Sequence, residues 1–162
     1  MEKRDLYDIN KNLVGMTFNK GEQVPKGYYY LIVAVFIENS NGEFLIQKRV
    51  ASKGGKWATT AGHPKSGENS IQGLCSEVYE EIGVDISMEK VRLVDTWIHN
   101  DQIFDIYYLK KDIDLKDVSI QIEEVDAVLY ASFDEIKEMY LNNQFHENHY
   151  ILFEKCISKL SS

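Results

Sequence analysis

The sequence predicts a layered α/β fold in one domain. Three observations carry that expectation. Apolar, strand-like runs lie at Tyr28–Ile37, Val91–Trp97, Ile103–Leu109 and Val125–Ala131; apolar residues recur at helical spacing at Ile71, Leu74, Cys75, Val78 and Ile82; and no internal repeat is present. The 162 residues, 44% hydrophobic and 27% charged, suit a single folded domain over 1–162 with a core of its own.

Each element follows from local chemistry. Residues 1–27 place two turn-like stretches, Asp8-Ile9-Asn10-Lys11-Asn12 and Asn19-Lys20-Gly21-Glu22, between short apolar segments, which reads as a hairpin or extended arm. Tyr28–Ile37 is apolar on both faces, as a strand covered on both sides must be. Asn39-Ser40-Asn41-Gly42 supplies a hairpin turn, and Glu43–Val50 returns as the next strand. A glycine-containing loop, Lys53–Lys56, leads into a short extended segment, Trp57–Ala61. Asn69 caps the following helix and Gln72 completes a capping box, while Gly83 sits where a left-handed cap ends it. The strands Val91–Trp97 and Ile103–Leu109 flank a polar loop, His99-Asn100-Asp101-Gln102. After the Val125–Ala131 strand, the segment 132–162 is helical: Ser132-Phe133-Asp134-Glu135 opens one helix with a second capping box, and His146–Leu160 forms the last.

Composition excludes several functions. No apolar run approaches the ~20 residues a membrane helix needs, and the first residues, Met1-Glu2-Lys3-Arg4-Asp5-Leu6, lack the apolar stretch of a signal peptide. Cys75 and Cys156 stand far apart in helical apolar patterns, as buried free thiols of a protein in a reducing cytoplasm would. A net charge of −8 disfavours non-specific nucleic-acid binding. An acidic protein that handles phosphates must bring metal ions or a local basic patch.

One feature is chemically costly. Glu77, Glu80 and Glu81 crowd the last turn of the helix that stops at Gly83. Glu77 and Glu81 lie about 40° apart around the axis and Glu80 about 60° to the other side, so all three can project from one face. Like charges at i,i+4 repel by roughly 0.2–0.5 kcal/mol, and the helix dipole disfavours anions at this end. A solvated acidic face would carry these costs; a bound divalent cation would reverse them, since magnesium prefers carboxylate and phosphate oxygens.

The spacing Gly62, five residues, Glu68, eight residues, Glu77-Val78, one residue, Glu80-Glu81, one residue, Gly83-Val84 resembles the Nudix box, with every specified position present except the arginine, here Ser76. Asp5-Leu6-Tyr7-Asp8, Phe44-Leu45-Ile46-Gln47-Lys48-Arg49 and Gly62-His63-Pro64 are similar to the Nudix branch near isopentenyl-diphosphate isomerase. The resemblance implies an α/β/α sandwich with a mixed sheet, the box at 62–84 forming a loop–helix–loop. It implies a hydrolase that uses Mg2+ or Mn2+ to cleave a nucleoside diphosphate-X linkage. By position, Glu77 and Glu81 would be metal ligands, Glu80 a ligand or proton acceptor, Gly62 a carbonyl ligand and Glu68 a brace for the glutamates. The expected partner is a small phosphorylated molecule, with neither nucleic acid nor membrane; a homodimer stays open.

The departures define the alternatives. Serine at 76 forfeits a charge-assisted bond to the first glutamate, so either another cation substitutes or Glu68 is freer; a Nudix-fold binding module with weak or no catalysis is the second reading. The isomerase is a third, but its cysteine position holds Ala61 and its strand histidine positions hold Tyr30 and Ala34. Around the box, Arg49 matches a basic position suited to a substrate phosphate, and Lys48 beside it must point to the opposite face. His63 is a ligand, a substrate contact or a loop hydrogen-bond partner. Trp57 either stacks on a base or packs. Glu124, rather than Glu123, is a candidate for the extra acidic residue some Nudix enzymes place near the metals.

Overall fold

The structure, a computed structural model, describes residues 2–161, one residue short of the single-domain expectation at each end. Two antiparallel strands, β1 (Lys3–Tyr7) and β2 (Leu13–Asn19), form the N-terminal hairpin expected for 1–27. A 7-stranded mixed sheet follows: β3 (Tyr30–Glu38), β4 (Glu43–Arg49), β5 (Trp57–Ala58), β6 (Thr60–Gly62), β7 (Arg92–His99), β8 (Gln102–Lys110) and β9 (Val125–Ser132). Helix α1 (Ser70–Ile82) covers one face, and α2 (Phe133–Leu141) and α3 (Glu147–Leu160) cover the other.

Strand β3 shows why its sequence is apolar throughout. Leu31, Val33, Val35 and Ile37 join the core beneath α1 with Leu74, Val78 and Ile82. The alternate residues Ile32, Ala34 and Phe36 join the opposite core with Ile136, Leu152, Phe153 and Cys156. Period-two alternation thus feeds two layers from one strand. Strand β8 lies parallel to β3 in unbroken register, Tyr30 opposite Gln102 through Glu38 opposite Lys110. The other pairings are antiparallel.

Both capping boxes form, at Asn69/Gln72 and Ser132/Glu135, and Gly83 closes α1 at φ 68°. A Cβ at Gly83 would also lie 2.9 Å from that of Ser119. The polar loop expected over His99–Gln102 is tighter: the strands run to His99 and from Gln102, leaving a turn whose Asn100 takes φ 56°. The extended stretch Trp57–Ala61 is two strands, because its first half pairs with β4 and its second with β3. Cys156 is a fully buried thiol as expected; Cys75 is only half-buried, because it sits at the rim of the α1 apolar stripe beside the exposed Ile71. Among the described residues no helix is long and apolar enough to cross a membrane.

A buried anion ties the layers together. Asp105 on β8 is fully buried, a position that costs several kcal/mol unless its oxygens are paired. They are: Lys11 Nζ, from the tip of the N-terminal hairpin, lies 3.0 Å from both oxygens, and Ser70 and Thr96 donate hydroxyls at 2.6 and 2.7 Å. This anchors the hairpin and the first turn of α1 to the same strand.

Candidate active site

The loop after β6 and helix α1 behave as one packed unit. Pro64 lies against Gly73, where a Cβ would come within 2.5 Å of Pro64 Cγ. Asp5 on β1 accepts from Ser66 Oγ at 2.7 Å and from the Gly67 amide at 3.1 Å, so the hairpin holds the loop from outside. Glu68 is gripped at both oxygens, by the Lys65 amide at 2.7 Å and the Ser76 hydroxyl at 2.6 Å.

Glu77 and Glu81 project from the end of α1 toward β6 and β4. Gly62 leaves no room between: a Cβ there would stand 2.2 Å from the Glu77 carboxyl carbon. Burial raises the pKa of both carboxyls, and at Glu77 repulsion from Glu81 and Glu80 adds to it. The two are hydrogen-bonded to each other, so without a cation the pair holds a proton. Gln47 Nε2 donates to Glu81 Oε1 at 2.6 Å, while Thr60 Oγ1 donates to Gln47 Oε1 at 2.6 Å and fixes that amide's orientation. Glu80 lines the same cavity with its Oε1 2.8 Å from Lys65 Nζ, an exposed pair worth at most about 1 kcal/mol.

These carboxylates form one wall of an open cavity of about 540 Å3. Arg49, Glu124, His146 and His149 line it as well. So do Arg4 and Lys20 of the N-terminal arm, with Tyr30 and His63. The His63 ring stacks on Tyr30 with centroids 5.5 Å apart, and burial pulls its pKa down to about 4, which keeps it neutral. Glu124 pairs with Lys53 at 2.9 Å. Arg49 reaches the cavity where β4 and β9 slip register, whereas its neighbour Lys48 is exposed.

Of the residues singled out in sequence, Gly62, His63, Glu77, Glu80, Glu81, Arg49 and Glu124 line the cavity. Glu68 stands behind it, in the bracing position. Trp57 does not line it: the side chain packs against the core of the α2–α3 layer, and its strand forms a bridge to Phe145. Gln47, Arg4, Lys65, His146 and His149 escaped the sequence reading. The His-x-x-His spacing at the start of the last helix was a visible signal for the final two; nothing local marks the others.

The donor set fits a divalent cation in chemistry: two half-buried carboxylates forced to share a proton, beside a glycine whose missing side chain opens the space. Among the described residues no three acidic, imidazole or thiol groups converge into a ready cage, since Glu80 is paired with Lys65. Glu77, Glu81 and Gly62 would hold the ion, with Glu80 joining on release from Lys65.

Comparison with known proteins agrees with this geometry. Residues 29–155 match the NUDIX domain. An uncharacterized Nudix hydrolase of Listeria monocytogenes is 32% identical over 150 residues, 90% of this chain and 88% of its own length. An isopentenyl-diphosphate Delta-isomerase of Pectobacterium atrosepticum is 31% identical over 144 residues, 82% of this chain and 78% of its own. Among solved structures, DR0079 from Deinococcus radiodurans superposes with a TM-score of 0.77 at 17% identity, covering 94% of this chain and 98% of its own. The NUDIX domain of Shewanella oneidensis NrtR, solved with ADP ribose, gives 0.67 at 17% identity over 86% of this chain and 94% of its own. These structures are alike in fold.

Proposed function

Because the chain belongs to the Nudix family, whose hydrolases act on pyrophosphate bonds, we propose that it cleaves the diphosphate linkage of a nucleoside diphosphate-X molecule with bound Mg2+ or Mn2+. The observation that carries this reading is the Glu77–Glu81 pair beside Gly62, held by Gln47 and Thr60. Carboxylates kept this close, with no salt bridge to either among the described residues, have a cost that a divalent cation removes.

The metal supplies acidification of a water and neutralisation of phosphoryl charge when bound. The chain's own groups do the rest. Gln47 fixes one oxygen of Glu81, so that carboxylate enters with a set orientation. Glu124 lines the same cavity from β9's leading end, where it can accept the proton of the attacking water, and it pairs with Lys53 at 2.9 Å. Arg49, with neither ion pair nor side-chain hydrogen bond among the described residues, offers a free guanidinium to a phosphate. The free thiols Cys75 and Cys156 suit a cytoplasmic setting. The bound ADP ribose of the Shewanella domain makes that molecule a natural first candidate.

The isomerase reading finds no support in the cavity. Ala61 pairs with Ala34 across β6 and β3, Tyr30 stacks on His63, and neither cysteine lines the space. The test is a magnesium-dependent screen of nucleoside diphosphate sugars, dinucleoside polyphosphates, NAD(H), ADP-ribose, CoA and nucleoside triphosphates, read by chromatographic detection of the cleaved nucleotide products. Turnover of at least one, lost on chelation and severely reduced in Glu81→Gln and Gly62→Ala, is the expected result. Tight binding without turnover would favour the binding module, and neither binding nor turnover would overturn both.

A further inference from the structure

The cavity that holds the acidic cluster is also lined by hydrogen-bond donors. His149 Nδ1 accepts from the Thr59 amide at 3.2 Å, so that nitrogen carries a lone pair and the ring proton sits on Nε2. His146 caps α3, its Nδ1 accepting from the His149 amide at 3.4 Å, which leaves its own proton on Nε2 as well. In both rings only Nδ1 serves the fold. Each Nε2–H is without a partner among the described residues, and both side chains line the cavity. The rings lie 4.4 Å apart.

Arg49 lines the cavity together with this pair and the glutamates. Its charge lowers the pKa of Glu81, His146 and His149. Two imidazole N–H groups and one guanidinium there offer donors to oxygens, while Glu124 and Lys53 line the same cavity as an ion pair. Asn148, in the first turn of α3, lines it too, where the helix amides add partial positive charge. A diphosphate has two phosphoryl groups, and the oxygens of the one farther from Glu77 and Glu81 need donors of their own.

We propose that His146 and His149, with Arg49, form an oxyanion subsite for the second phosphoryl group, the one that lies away from Glu77 and Glu81. The assignment rests on the diphosphate reading above. Because the imidazoles are neutral donors, they hold phosphate oxygens without opposing the nearby metal charge. They are specificity-determining residues: a substrate with a single phosphoryl group leaves them unused.

The experiment is calorimetric titration of the magnesium-saturated protein with methylenediphosphonate, a diphosphate that cannot be cleaved, and with inorganic phosphate. His149→Phe keeps a ring and loses both nitrogens. His146→Asn keeps the cap acceptor, which asparagine supplies well, but shortens the donor's reach. Each variant is expected to bind methylenediphosphonate about tenfold more weakly than wild type, with little change for inorganic phosphate and none in magnesium affinity without ligand. Wild-type affinity in His146→Asn and in any folded His149→Phe overturns the subsite while leaving the diphosphate reading intact. Should His149→Phe fail to fold by circular dichroism, His146→Asn decides alone. Failure of the wild type to bind methylenediphosphonate at all would instead sink the diphosphate reading, and the subsite with it.

Discussion

Ser76 donates its hydroxyl to Glu68 Oε2 across 2.6 Å, at the place where the Nudix box carries an arginine. The other oxygen of Glu68 is held by the Lys65 amide at 2.7 Å, and the Lys65 ammonium sits 2.8 Å from Glu80. The sequence left two outcomes open, a substitute cation or a freer Glu68. The structure has both oxygens of Glu68 occupied and a cation on a neighbouring glutamate instead.

The first prediction follows from that arrangement. Ser76→Arg should change kcat by less than about threefold, because Glu68 has no oxygen waiting for it, while Ser76→Ala should lower stability by about 1 kcal/mol through one lost hydrogen bond. Steady-state kinetics and thermal melts check the two values. A large rise in kcat for Ser76→Arg would show that the brace is looser than its two bonds indicate.

The second concerns pH in the metal-free protein. Burial and mutual repulsion raise the pKa of Glu77 and Glu81 above the ordinary 4.5. A carboxyl whose folded-state pKa is raised contributes stability that is fully present below its unfolded value and is lost as pH climbs through the folded one. The metal-free melting temperature should therefore fall as pH rises from about 5 through neutrality. Glu81→Gln should flatten that slope, and so should magnesium, which takes over from the shared proton. A wild-type slope unchanged by both would remove the pair from the account.

The third separates Glu124 from Glu123. Glu124 is half-buried, lines the cavity and pairs with Lys53, whereas Glu123 is exposed. Neutralising Glu124 to Gln should lower kcat by roughly 10²–10⁴-fold with metal affinity nearly intact, as steady-state kinetics and magnesium titration will show. Glu123→Gln should behave as wild type. Equal, small effects at both positions would return the base role to Glu80.

By itself the sequence determined what short-range geometry governs. The caps at Asn69, Gly83 and Ser132 depend on residues within one turn, and the glutamates share a helix face because 3.6 residues make a turn. The two-sided burial of β3 was equally legible, since alternation along a strand needs no partner to be read. Only the tertiary structure decided which groups meet across the chain. Gln47 reaches Glu81 from 34 residues away, and Thr59 reaches His149 from 90. Trp57 could stack or pack, packing being the better fit, and the pairing of β5 with β4 sets it against the core of the α2–α3 layer. These outcomes rest on register and crossover, which bring distant residues together without leaving a periodic trace in the sequence between them. The helix face carrying the acidic cluster could be read residue by residue, whereas His146 and His149 join the same cavity through the packing of α3 on the other face of the sheet.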